Sequence, residues 1–143
     1  MVDPKRVSPR EAQALLEDGY IYIDVRSEEE FAAGHPAGAY NVPLMFIGGG
    51  GMQPNPAFAE VMRARFPLDT KLVLGCKAGG RSLRAAGLLA QEGYTQIVDQ
   101  RAGWDGARDP FGQVSEPGWG LSGLPAESGQ PRERSYAALT TTP

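Results

Sequence analysis

Between residues 5 and 104 short runs of apolar, β-branched or aromatic residues alternate with longer stretches whose apolar positions recur at helical spacing. Ser8-Pro9-Arg10-Glu11 opens the first helix, with Ser8 at the cap, Pro9 at the first helical position and Glu11 placed to close a capping box. That helix should run to Asp18 and stop at Gly19. Tyr20-Ile21-Tyr22-Ile23 then reads as a strand ending at Asp24-Val25-Arg26. Ser27-x-x-Glu30 is a second capping box, opening a short helix through Phe31 that Gly34 terminates. Tyr40-Asn41-Val42 leaves room for a short strand before Pro43. Asn55-Pro56 caps a helix with Phe58, Val61 and Met62 on one stripe, ending near Phe66-Pro67. Lys71-Leu72-Val73-Leu74 has the composition of a buried parallel strand. Residues 80–92 form a helix almost wholly apolar between Arg84 and Gln91, and hence predicted to be buried on more than one side. Gly93 ends it, and Gln96-Ile97-Val98-Asp99 gives another strand.

Strands alternating with helices predict an α/β domain with a mainly parallel sheet covered on both faces. Ligands bind such sheets at the carboxyl ends of the strands. Asp24 with Arg26, Cys76, and Asp99 with Arg101 all follow predicted strands and so converge on one edge. Gly48 to Gly51 reads as a loop, because four glycines lose too much backbone entropy to hold a regular element. A phosphate-binding loop is a poor match there, since no Lys-Ser/Thr pair follows. Residues 105–130 are rich in Gly and Pro and read as an irregular arm that finishes the core, anchored by Trp119, Leu121 and Leu124. The domain then spans residues 1–130, and 131–143 read as a flexible tail.

Composition narrows the function classes. With 143 residues, 41% of them hydrophobic and 22% charged, one globular domain is expected, and no apolar run approaches the ~20 residues of a membrane span. A net charge of −3 gives no basic footprint for nucleic acid. One cysteine, Cys76, and one histidine, His35, exclude an internal disulfide and argue against a Cys/His metal cluster. Neither a metal nor another cofactor is expected. The first residues lack an apolar signal region, so the expected compartment is the cytoplasm, and the expected state is a monomer or weak homodimer.

The informative segment is Gly75-Cys76-Lys77-Ala78-Gly79-Gly80-Arg81-Ser82, between a strand and a long helix. Adjacent glycines let the backbone curl so that successive N–H groups form an anion-binding nest. The helix adds its free N–H groups and the positive end of its dipole. A cysteine at the head of this arrangement sits in a field that favours the thiolate, with Lys77 and Arg81 as nearby cations. The alternative is that Cys76 is only a small buried hydrophobe, but that role requires neither the Gly-Gly turn nor two flanking cations.

The loop from Cys76 to Ser82 resembles the active-site loop of rhodanese-like sulfurtransferases. Asp24-Val25-Arg26 is similar to that family's Asp-x-Arg segment, Gly34-His35-Pro36-Ala37-Gly38-Ala39 to its Gly-His turn, and Arg101-Ala102-Gly103-Trp104 loosely to its Trp region. Three positions depart from the pattern: Pro36 directly follows His35, Gly75 stands where an aromatic is common, and Ala102 replaces a glycine. The resemblance implies a rhodanese-like three-layer α/β domain with a central five-stranded, mainly parallel sheet and helices on both faces. It also implies a sulfane-sulfur transfer from a small anion such as thiosulfate to cyanide or a thiol, a protein thiol included, through a Cys76 persulfide. Cys76 is then the catalytic residue, and Lys77, Ala78, Gly79, Gly80, Arg81 and Ser82 form the substrate-binding anion cradle, with Lys77 meeting the donor and Arg81 also bracing the loop. Asp24, Arg26 and His35 support it. Asp24 either tunes the site or pins the loop after its strand, Arg26 binds an anion or pairs with the Glu28-Glu29-Glu30 cluster, and His35 is a base or, preferably, a hydrogen-bonding brace. Other readings are a persulfide carrier or regulatory protein-binding module, and a cysteine-dependent phosphatase. Only four residues, Lys77 to Gly80, separate Cys76 from Arg81, a cradle too short to suit a phosphoryl group well.

Overall fold

Both Ser-x-x-Glu starts close as capping boxes in the computed structural model, which describes residues 5–48, 50–78 and 80–140. After β1 (Lys5–Val7), α1 (Pro9–Glu17) begins where the Ser8 hydroxyl accepts from the Glu11 N–H (3.1 Å) and the Glu11 carboxylate accepts from the Ser8 N–H (2.9 Å). It ends before Gly19, which takes a left-handed conformation at φ +98°. β2 (Ile21–Asp24) leads to α2 (Glu28–Ala33), capped by the same reciprocal pair at Ser27 and Glu30. Two short strands follow, β3 (His35–Pro36) and β4 (Tyr40–Asn41), then a hairpin of β5 (Met45–Gly48) and β6 (Gly51–Pro54). α3 (Phe58–Arg65), β7 (Leu72–Gly75), α4 (Gly80–Glu92) and β8 (Ile97–Gln100) complete the alternating part. The arm holds β9 (Gly106–Arg108) paired with β10 (Val114–Pro117), a 3₁₀ turn at Trp119–Leu121, and β11 (Ala126–Glu127); α5 (Tyr136–Thr140) is last.

The central sheet has five strands in the order β1-β8-β7-β2-β4, and every pairing in it is parallel. β7 is the middle strand, with Leu74 opposite both Ile23 and Asp99. Alternation along the strands sends side chains to two separate cores. Ile23, Leu72 and Leu74 pack with Phe58 and Met62 of α3, Ala85, Ala86 and Leu89 of α4, and Leu139 of α5. Tyr22, Val73 and Val98 pack on the other face with Ala12 of α1, Phe31 of α2 and Trp119. The result is the three-layer α/β arrangement that the alternation of elements predicts.

Several local expectations change. Gly48 and Gly51 of the glycine run pair at the end of a hairpin, with Gly51 at φ +99°, because residues 45–48 and 51–54 find each other as antiparallel partners; Gly49 lies outside the described residues. α3 begins at Phe58, later than Asn55-Pro56 implied. Asn55 is spent elsewhere: its amide donates to Pro43 O at 2.9 Å while its oxygen accepts from the Ala57 N–H. α4 is buried on one face only, and Leu83 and Leu88 are exposed at 38% and 46%. In the arm Trp119 is buried and Leu124 packs beside it, but Leu121 is 69% exposed and anchors nothing. Residues 131–140 are not a free tail. Arg134 donates to Ala39 O (3.0 Å) and to Glu127 (2.6 Å), and Leu139 lies in the core; the last three residues lie outside those described. No helix among the described residues is long and apolar enough to cross a membrane.

Candidate active site

The central strand β7 delivers Cys76 to the carboxyl edge of the sheet, and the chain turns there into α4. Cys76 is 2% exposed and its Sγ lies 3.5 Å from Ser82 Oγ in the first turn of α4. The thiol therefore sits at the amino end of a thirteen-residue helix, where free N–H groups and the helix dipole favour negative charge. Lys77 and Ala78 form the exposed rim, Gly80 opens the helix, and Gly79 lies outside the described residues.

The two flanking cations are held differently. Arg81 donates to both Glu30 oxygens at 2.7 and 3.0 Å, a bidentate pair between α4 and α2 whose side chains are 11% and 18% exposed. Burial works to raise the Glu30 pKa, but hydrogen bonds from Arg81 and from the Ser27 N–H outweigh it and hold the carboxyl at about 2. Arg81 is raised in turn, first by its hydrogen bonds to Glu30, with a smaller contribution from Cys76. Arg81 is thus fixed as a brace beside the thiol. Lys77 is 58% exposed, with Nζ 3.7 Å from Asp105, and remains at the mouth.

Asp24 and Arg26 form a second buried pair one strand away. Asp24 accepts from the Arg26 backbone N–H at 3.0 Å, which pins the turn after β2, and from the Arg26 guanidinium at 2.6 to 3.1 Å. Arg26 also donates to Gly34 O at 2.5 Å and stands 5.3 Å from the Trp104 ring centre. Its guanidinium is buried and spent on Asp24 and Gly34 O, with no hydrogen bond to the glutamates of α2 among the described residues. Trp104 connects this pair to the cysteine: its N–H donates to Cys76 O (2.8 Å), and the Asp105 N–H donates to Lys77 O (2.9 Å). This underside contact needs Gly103, at φ +64°, because a Cβ there would strike both carbonyls.

His35 is fully buried and stacked on Phe31 at 3.6 Å between ring centres. Its Nδ1 is 2.6 Å from Phe31 O and its Nε2 is 3.0 Å from Glu127. With both nitrogens engaged the ring suits the bracing role. Asp99 and Arg101 do reach the same edge. There Asp99 accepts from Arg6 at 2.8 Å, leaving its Oδ1 without a partner, and Arg101 makes a bidentate pair with Glu116.

Three residues that position the site were not signalled by motif. Glu30 is distant in sequence from Arg81, and was singled out only by its capping box and its place in the Glu28-Glu29-Glu30 cluster. Glu127 comes from the arm. Tyr22 explains Gly75: a Cβ at Gly75 would overlap the Tyr22 hydroxyl, so the space an aromatic at position 75 would take is filled from β2 instead. Gln100 donates to that hydroxyl at 3.4 Å, and burial pushes the Tyr22 pKa upward.

Comparisons with known proteins identify the family. Thiosulfate sulfurtransferase 16 of Arabidopsis thaliana, a chloroplastic protein, is 37% identical over 125 residues that cover 87% of this chain and 94% of that protein. Senescence-associated protein DIN1 of Raphanus sativus is 39% identical over 101 residues, 71% of this chain, and the chain spans about half the length of that relative (55%). The crystal structure of Rv0390 from M. tuberculosis superposes with a TM-score of 0.74 at 26% identity, covering 90% of this chain and all of that one. The model of the rhodanese-like domain matches residues 8–109, which include the Asp24–Arg26 turn, the His35 turn, the cysteine loop and Trp104, and the chain therefore belongs to the rhodanese-like family.

Proposed function

We propose that the protein is a sulfurtransferase that carries sulfane sulfur on Cys76. The carrying observation is the placement of Cys76 at the end of the central strand and the head of α4, against Ser82, with Arg81 held beside it. The Cys76 thiolate attacks the outer sulfur of thiosulfate. A new S–S bond forms as the thiosulfate S–S bond breaks, the electron pair leaves with sulfite, and the persulfide keeps the negative charge. Backbone N–H groups at the start of α4 are placed to stabilise that charge. Lys77 meets the incoming dianion at the rim, and a thiol or cyanide then removes the sulfur. No general base is required once the thiolate exists.

Intact mass spectrometry after thiosulfate treatment tests this. The wild type should gain the mass of one sulfur and lose it to cyanide as thiocyanate, and Cys76→Ser should gain nothing. Equal gain in Cys76→Ser, or turnover of an aryl phosphate without any sulfur gain, overturns the reading.

A further inference from the structure

Beside the cysteine loop lies an open recess of about 490 Å³, lined by Ala78 of the loop, Arg6 of β1, Arg101 after β8, Arg108 of β9, and Ser115 and Glu116 of β10. Its charges are unequal. Arg6 is paired with Asp99 at 2.8 Å, and Arg101 with Glu116 at 2.8 Å, with Glu11 at 3.9 Å. Arg108 is exposed, donates only to Gly112 O within its own hairpin, and has no carboxylate partner among the described residues. Arg108 is thus the guanidinium of the recess that no carboxylate among the described residues holds.

The recess is close to the chemistry. Ala78 is two residues from Cys76, so their Cα atoms are at most ~7 Å apart. The chain that leads into β9 is fixed to the same loop by the Trp104 and Asp105 N–H bonds. A small dianion that reacts at Cys76 does not reach across a recess of this volume. An acceptor whose thiol meets Cys76 while a carboxylate several bonds away meets a guanidinium does, and guanidinium forks match carboxylates.

Resting on the sulfur-transfer reading above, we infer that this recess is the acceptor subsite and that Arg108 selects small thiols bearing carboxylates. The acceptor arrives as a thiol and gives its proton to the outer sulfur of the Cys76 persulfide anion, and the resulting thiolate attacks that sulfur. The new S–S bond forms as the old one breaks, the electron pair returns to Cys76 as thiolate, and the proton stays on the transferred sulfur. No oxidant or reductant is consumed.

Acceptor kinetics with thiosulfate as donor compare glutathione, the uncharged 2-mercaptoethanol and cyanide. Arg108→Ala should raise KM for glutathione about threefold and Arg108→Glu about tenfold, the scale of exposed ion pairs. The KM for 2-mercaptoethanol and the rate with cyanide should not move. An unchanged glutathione KM, or equal shifts for both thiols, overturns the proposal. A readout independent of turnover is titration with S-methylglutathione, which cannot accept sulfur. It should perturb the backbone NMR signals of Ala78, Arg108 and Ser115 in the wild type and lose that effect in Arg108→Glu. No binding to the wild type overturns the subsite even if cyanide turnover proceeds. Binding in the recess without any persulfide overturns the sulfur-transfer reading and leaves an anion site.

Discussion

A guanidinium enclosed as fully as that of Arg26 persists in the core only because Asp24 and Gly34 O take its hydrogens. Replacing Asp24 by Ala strands that charge, and urea denaturation should show a loss of about 3–5 kcal/mol. Lys77→Ala, at the exposed rim, should stay within about 0.5 kcal/mol of wild type. Gly75 makes a second residue-level case. Gly75→Ala drives a methyl into the Tyr22 hydroxyl and should cost about 1–3 kcal/mol. Combined with Tyr22→Val it should cost less than the two single changes added together, and a purely additive double-mutant cycle would refute the shared-space account. Chemistry-bearing residues close together in sequence, Cys76 with Ser82 and Asp24 with Arg26, were legible because a few residues of loop fix their separation. Their long-range partners, Glu30 for Arg81 and Tyr22 for Gly75, depend on which strands become neighbours, and residue type does not encode that.

The capped helices were legible for the same local reason: a Ser and a Glu three apart satisfy each other whatever lies beyond. Elements whose stability comes from pairing were not, and the β5–β6 hairpin is hidden behind glycines that suggest only a loop. α4 misled because Leu88 within its apolar stretch, like Leu83 just before it, is left outside by the fold. Links between elements also set the response to acid. Glu30 joins α2 to α4, and Glu127 ties the arm to the His35 turn. Hydrogen bonds from Arg134, and more weakly from His35, hold Glu127 at about 2 against the opposing effect of burial. Both carboxyls titrate lower in the folded chain than their ordinary 4.5, so their stabilisation is complete above about pH 4.5 and is lost as pH falls toward about 2. Urea midpoints should drop across that window in the wild type. Glu30→Gln should start lower at neutral pH and drop less, and an unchanged slope would count against the α2–α4 pair.

At the scale of the whole molecule, residues 131–140 belong to the domain. Tyr136 and Leu139 pack on the core that also holds Cys76, and Arg65 donates to Leu139 O at 2.8 Å. A chain ended after residue 130 should lose at least ~2 kcal/mol, the scale of one buried leucine, read as a lower thermal midpoint. Unchanged melting would return the segment to the status of a tail. The order of strands has a consequence for biosynthesis. β7 lies between β2, made before it, and β8, made after it, and the carbonyls of Cys76 and Lys77 are held by N–H groups of Trp104 and Asp105. As the chain leaves the ribosome, Cys76 emerges before the strand and turn that enclose it. Non-local parallel pairing is slow to form, so the nascent thiol faces cellular oxidants and metals longest at the stage when it has the least protection.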